Sequence, residues 1–128
     1  LNNQYCLGNL LVESIIFGFI FVMFNHVTHT NIKTDYKPKI KDCWYEHQMR
    51  TTSNFYKNNY LITHLTGGVD YQIEHHIFTS IHHYHSPALS KIISRVSKKY
   101  NIPYLSFDNY FQALKSHYIL LKKLGKDE

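Results

Sequence analysis

The sequence predicts an all-α fold in which one transmembrane helix is followed by a cytosolic helical cap. Three observations carry that expectation. Tyr5 to Phe24 is a nearly unbroken apolar run. All 14 Lys and Arg lie beyond Ile32, so charge begins where the apolar run has ended. The C-terminal third repeats apolar residues at helical spacing between recognisable start and stop signals.

The run Tyr5–Phe24 would reach about 30 Å as a helix, the thickness of a bilayer's hydrocarbon layer. Asn9, Glu13 and Ser14 interrupt it. A charge at mid-membrane costs about 3 kcal/mol, so Glu13 is expected to face other helices or to sit near the interface. No basic stretch precedes the run and no small-residue cleavage site follows it, which argues against a signal peptide. Lys33, Lys37, Lys39 and Lys41 come directly after it, as on the cytoplasmic flank of a membrane helix. The net charge of +5 and pI near 9.2 do not indicate nucleic acid, because the basic residues are spread over the chain rather than gathered in one stripe. Cys6 and Cys43 form neither a zinc knuckle nor a disulfide framework and are expected to be reduced thiols. The 11 Tyr, 8 Phe and single Trp suit a bilayer interface and buried acyl chains.

Three regions follow: 1–29, the membrane helix and its cytosolic end; 30–59, a linker with an interfacial segment; and 60–128, the C-terminal region. Thr34 to Asp42, Lys-rich and broken by Pro38, reads as a loop. Trp44 to Arg50 reads as a short interfacial helix, and Asn54 to Asn59 as a polar link. Ser86-Pro87 opens a helix with Ser as N-cap, a buried stripe of Leu89, Ile92, Ile93, Val96 and Tyr100, and a stop at Asn101 and Pro103. Asp108 caps a last helix whose stripe is Phe111, Leu114, Tyr118 and Leu121, with Leu124 as a candidate extension, ending at Gly125.

Between these regions lies Gly67-Gly68-Val69-Asp70-Tyr71-Gln72-Ile73-Glu74-His75-His76-Ile77-Phe78. If it is helical from Tyr71, then Gln72, His75 and His76 project from one face as three candidate metal ligands. Imidazole serves Fe, Zn and Cu alike, so the pattern names a metal site before it names the metal. The segment resembles the third histidine box, Gln-x-x-His-His, of membrane fatty acid desaturases, most closely the front-end, acyl-lipid and linoleoyl-CoA branch. Gln48-Met49-Arg50-Thr51-Thr52-Ser53-Asn54, His83-Tyr84-His85-Ser86-Pro87 and Asn101-Ile102-Pro103-Tyr104 resemble further family landmarks in family order. The likeness runs from about Phe24 to Gly125; Thr79 stands where the family usually has Pro.

The resemblance implies the C-terminal part of a multi-pass membrane desaturase, with a di-iron centre, O2, and two electrons delivered through cytochrome b5 or ferredoxin. It implies an acyl-CoA or acyl-lipid substrate, a membrane location (the endoplasmic reticulum in a eukaryote) and a cytosolic C-terminal region. His75 and His76 are then iron ligands, Gln72 a weaker ligand or hydrogen-bonding partner, and Glu74 a residue that orients a ligand. Desaturases carry one more ligand from the end of the preceding helix, for which His26 is preferred, with His29 or Asn25 as alternatives. His82, His83 and His85 are expected in a polar loop over the site rather than in a separate zinc site. The upstream His-x-x-x-His and His-x-x-His-His boxes do not occur here, so the chain is expected to be a fragment holding part of the ligand set and inactive alone. The rival readings are a related membrane hydroxylase and a truncated metal-binding remnant.

Overall fold

The computed structural model describes residues 3–34, 43–55 and 59–126, with side chains from Leu7 onward. The architecture is helical: α1 (Asn3–His29), α2 (Trp44–Thr51), α3 (Tyr60–Leu65), α4 (Gln72–Ile77), α5 (Ser86–Lys99) and α6 (Tyr110–Leu124). One pairing of two-residue strands, β1 (Asn54–Phe55) and β2 (Ser106–Phe107), joins parallel with Asn54 opposite Ser106. Single 3-10 turns at Val69–Tyr71 and His83–His85 lead into α4 and α5. Most of the expected loop at 34–42 and part of the link at 54–59 lie outside the described residues.

The segment Leu7–His29 is long and apolar enough to cross a membrane. Its apolar side chains project on every side, with Ile15 and Phe17 about 70% exposed, the pattern of a helix whose surroundings are not water. Only its last turns enter the cap. Val27 is buried with Phe55, Phe107 and Ala113, and Phe24 stacks against Phe55 and Tyr110. The helix end is then clamped. Ser53 donates to the Thr28 carbonyl from its backbone N–H (2.8 Å) and its hydroxyl (3.1 Å), and Asn31 Nδ2 donates to the Val27 carbonyl and to Ser53 Oγ, each at 2.9 Å. Carbonyls left orphaned at a helix C-terminus are thereby satisfied, and α1 is tied to the strand that precedes the box.

A second core, Met49, Ile73 and Ile93 with Tyr45, Ile77, Leu89, Ile102 and Tyr104 around it, seats α4 between α2 and α5. The two long C-terminal helices occur where expected, and of their expected stripes Ile93, Leu89 and Leu114 face the cores while most of the rest do not. On α5 the buried positions are Ser86, Pro87, Ser90, Ile93 and Ser97, while Ile92, Val96 and Tyr100 are exposed. On α6 they are Ala113, Ser116 and Leu120, while Phe111, Tyr118 and Leu121 are exposed. Small residues let helix backbones approach closely, and the serine hydroxyls find bonds there: Ser97 to the Ser94 carbonyl, Ser116 from the Ile32 N–H. Two caps also differ by a residue. Ser86 already has helical angles, and Asn109 rather than Asp108 caps α6, accepting from the Gln112 N–H at 2.9 Å. At the end of α5, Asn101 takes φ 55°, and the Ile102 N–H reaches the Ser97 carbonyl at 2.9 Å, a Schellman turn that Asn tolerates.

The approach to the box depends on glycine. Gly67 and Gly68 have φ of 63° and 87°, and a Cβ on Gly68 would lie 2.4 Å from His83 Cβ. Gly68→Ala is expected to destabilise the chain by about 3 kcal/mol in thermal unfolding, combining left-handed strain with a backbone-level clash. Gly67→Ala meets nothing within 4 Å and should cost only about 1 kcal/mol.

Candidate metal centre

The box is built from helix α4, which starts after the 3-10 turn and buries Gln72, Ile73 and Glu74 while leaving His75 and His76 at its C-terminal end. Ahead of it, Asp70 is fully buried and its carboxylate accepts from Thr63 Oγ1 (2.6 Å) and Thr66 Oγ1 (3.1 Å), tying α3 to the turn. Burial raises the Asp70 pKa, and the two hydroxyls oppose the rise.

The clamp on α1 brings His29 to this helix. His29 Nε2 lies 3.2 Å from His76 Nε2, and the Gln72 amide nitrogen is 3.3 Å from the first and 3.4 Å from the second. Each imidazole is held from behind. His76 Nδ1 donates to Gln48 Oε1 on α2 at 2.8 Å, and the Thr51 backbone hydrogen-bonds the His29 ring. A carbonyl behind one ring nitrogen fixes the tautomer that leaves the other free to bind a metal, an arrangement typical of histidine ligands. Two nitrogens bound to one ion at about 2.1 Å sit about 3.0–3.4 Å apart, so the observed spacing fits a shared ion. Turning the Gln72 amide by 180° would present its oxygen, the metal-binding atom, at the same point. The donor set therefore fits a metal. Among the described residues no group of three or more His, Cys, Asp or Glu forms a complete site.

The other predicted residues fall in different places. His75 stands with its ring perpendicular to that of His76, centroids 6.0 Å apart, and lines a cleft of about 380 Å³. Asn25 lines the same cleft beside Phe21 of α1, and its Nδ2 donates to the Phe21 carbonyl. His26 is exposed, and its ring packs edge-on against His117 of α6 at 6.1 Å, not against the box. Glu74 is buried and held by Asn54 Nδ2 (2.7 Å) and the Tyr104 hydroxyl (2.6 Å). His82 and His83 form one wall of the cleft, and His85 is exposed. Sequence reasoning did not single out Gln48 as the partner of His76, nor Asn54 and Tyr104 as partners of Glu74. Their presence inside the resembling stretches was the available signal.

Burial, with His29 and His75 adding repulsion, lowers the His76 pKa from 6.5 to about 4. A histidine depressed in the folded state withholds stability as the unfolded chain takes up its proton. Stability is complete above about pH 6.5 and declines as pH falls toward 4. For metal-free chain the expected loss between pH 7.5 and pH 5 is about 1 kcal/mol after allowance for screening of a half-buried ring. Denaturant titration at the two pH values checks it, and His76→Gln should remove that part of the slope.

Comparison with known proteins decides the family. The fatty acid desaturase family model matches residues 7–108. This chain belongs to the fatty acid desaturase family. The desaturase relatives include an acyl-lipid (8-3)-desaturase of Physcomitrium patens, 31% identical over 92% of this chain and 25% of the relative. An sn-1 linoleoyl-lipid 6-desaturase of Synechocystis is 37% identical over 68% of this chain and 24% of the relative. A Delta(5) fatty acid desaturase of Dictyostelium discoideum is 29% identical over 91% and 27%. The chain thus spans about a quarter of the length of the desaturases it matches. No solved structure matches it significantly.

Proposed function

We propose that this chain is the part of a di-iron acyl-lipid desaturase that carries the third histidine box. His29 and His76 would hold one iron with Gln72 beside them, and His75, turned into the cleft, would serve the second. The observation that carries the reading is the convergence of His29 Nε2, His76 Nε2 and the Gln72 amide within 3.2–3.4 Å of one another. Two of the relatives, an acyl-lipid and a linoleoyl-lipid desaturase, favour a lipid-borne substrate over acyl-CoA.

Removing hydrogen from an unactivated methylene lies beyond side-chain acids and bases; when bound, the iron pair supplies an oxidant made from O2. The balanced reaction turns –CH2–CH2– into –CH=CH– while O2, two electrons and two protons become two waters. Cytochrome b5 or ferredoxin would supply the electrons. The chain's own residues orient and enclose. Gln48 holds His76 in the tautomer that offers Nε2. Phe21 at the membrane helix, with Phe78, Ile81 and Leu89, gives the cleft an apolar wall along which an acyl chain could lie, with Gln72 and His75 beside it. Keeping water away from the reacting carbon is the remaining task of that wall.

The test is a chimera in which this chain replaces the segment it matches in the Synechocystis desaturase, expressed in a host whose fatty acids are profiled. The expected result is a new unsaturated product, lost with His75→Ala and with His76→Ala. A hydroxylated product would point to the hydroxylase reading. No product from a chimera that is folded and iron-loaded would contradict the proposal.

A further inference from the structure

Helix α4 has six residues, about one and a half turns, and its N-cap residue Tyr71 makes no side-chain capping bond. A helix that short does not hold itself. Yet its rotation decides where the box points. A histidine nitrogen about 6 Å from the helix axis moves about 2 Å when the helix turns by about 20°, as much as a metal–ligand bond length.

The missing constraints come from outside the helix, through one amide. Asn54 Oδ1 accepts from the Ile73 N–H at 2.9 Å, capping α4 from 19 residues upstream. The same amide's Nδ2 donates to Glu74 Oε2 at 2.7 Å and to the Tyr104 hydroxyl at 2.8 Å. Tyr104 in turn donates to Glu74 Oε1 at 2.6 Å and contacts Ser90 Oγ at 2.8 Å. Asn54 is itself anchored, its backbone N–H donating to the Leu105 carbonyl at 3.0 Å where β1 meets β2, and it is wholly buried. The left-handed turn at Asn101 and the packing of Ile102 into the second core deliver Tyr104 to the same point.

We infer that Asn54 is a positioning residue for the histidine box: it caps α4 at Ile73 and, together with Tyr104, grips Glu74, fixing the rotation that brings Gln72 and His76 to His29. The inference rests on the reading of that cluster as a metal site. Glu74, one residue before the two histidines, is accordingly a handle on the helix rather than a ligand. Because Asn54 directly follows Ser53, which clamps the end of α1, one short segment sets both halves of the cluster.

The test uses the full chain in lipid nanodiscs, with two readouts. One is the affinity for Co2+, followed by its visible absorption; the other is the pair of imidazole 15N shifts of His76 in metal-free protein. Asn54→Asp keeps the capping oxygen but sets a carboxylate against Glu74. It should weaken Co2+ binding at least tenfold and replace the single Nδ1–H tautomer of His76 by a mixture. The exchange N54D/E74Q, which returns one amide and one acid to the contact, should restore both readouts. Leu120→Ala, a buried change on α6, should lower the melting temperature and leave both readouts unchanged. If N54D does not fold, Tyr104→Phe removes one hydroxyl and should move both readouts in the same direction. Wild-type Co2+ affinity and an unchanged His76 tautomer in a folded N54D would overturn the inference, as would equal effects from L120A. A wild-type chain that binds no Co2+ would count against the metal reading, and the His76 tautomer would still decide the role of Asn54.

Discussion

His29→Ala in the desaturase chimera is expected to lower product at least 100-fold, while His26→Ala leaves it within about twofold. Both histidines sit in the last turns of α1, three residues apart. Only His29 comes within 3.2 Å of His76; the ring of His26 rests against His117. Alanine at position 29 removes a nitrogen donor from the cluster and leaves Gln72 and His76 facing an incomplete ligand set. Fatty acid profiling, with expression checked by immunoblot, reads the difference directly. Equal losses from both substitutions would mean that the helix end, rather than the one imidazole, matters.

The largest stability effect is expected from Phe55→Ala, a loss of about 4 kcal/mol. Phe55 is fully buried, stacked on Phe24 of α1 and packed edge-on to Tyr110 of α6, and its strand pairs with Phe107. Removing the ring opens a cavity where α1, the strand pair and α6 meet, between Phe24, Phe107 and Tyr110. Phe55→Leu, which keeps much of the volume, should cost about 1.5 kcal/mol. Thermal unfolding in nanodiscs, followed by helical circular dichroism, measures both. A difference under 1 kcal/mol between wild type and Phe55→Ala would mean that α1 and the cap are not coupled through this residue.

The parts legible in the sequence are those encoded locally. The apolar run of α1, the Gln-x-x-His-His spacing and the stop at Asn101 each depend on neighbours a turn away, and each occurs where it was expected. The inward faces of α5 and α6 were legible only in part: Ile93 is buried and Leu89 and Leu114 pack against the cores as expected, but the other large apolar residues of the stripes are exposed. Ser90, Ser97, Ala113 and Ser116 lie inward, where close backbone approach matters more than hydrophobic area. Nor could spacing choose between His26 and His29. In the fold it is His29 that lies beside His76, and Ser53, through its bonds to the Thr28 carbonyl, sets how α1 ends against the cap. Gln48, Asn54 and Tyr104 reach the box helix from 19 to 30 residues away in the chain, contacts that exist only in the folded chain. Folding thus does two things for the box that the motif alone does not: it brings His29 of α1 beside Gln72 and His76, and it holds a helix too short to hold itself.

The most direct measurement of the central claim, that His29 and His76 share an ion, is Co2+ titration of the metal-free chain in nanodiscs with its absorption spectrum recorded. The account predicts a visible band in wild type that is lost in His29→Ala and in His76→Ala and kept in His26→Ala. A band that survives both of the first two substitutions, or one that disappears with His26→Ala alone, would contradict it.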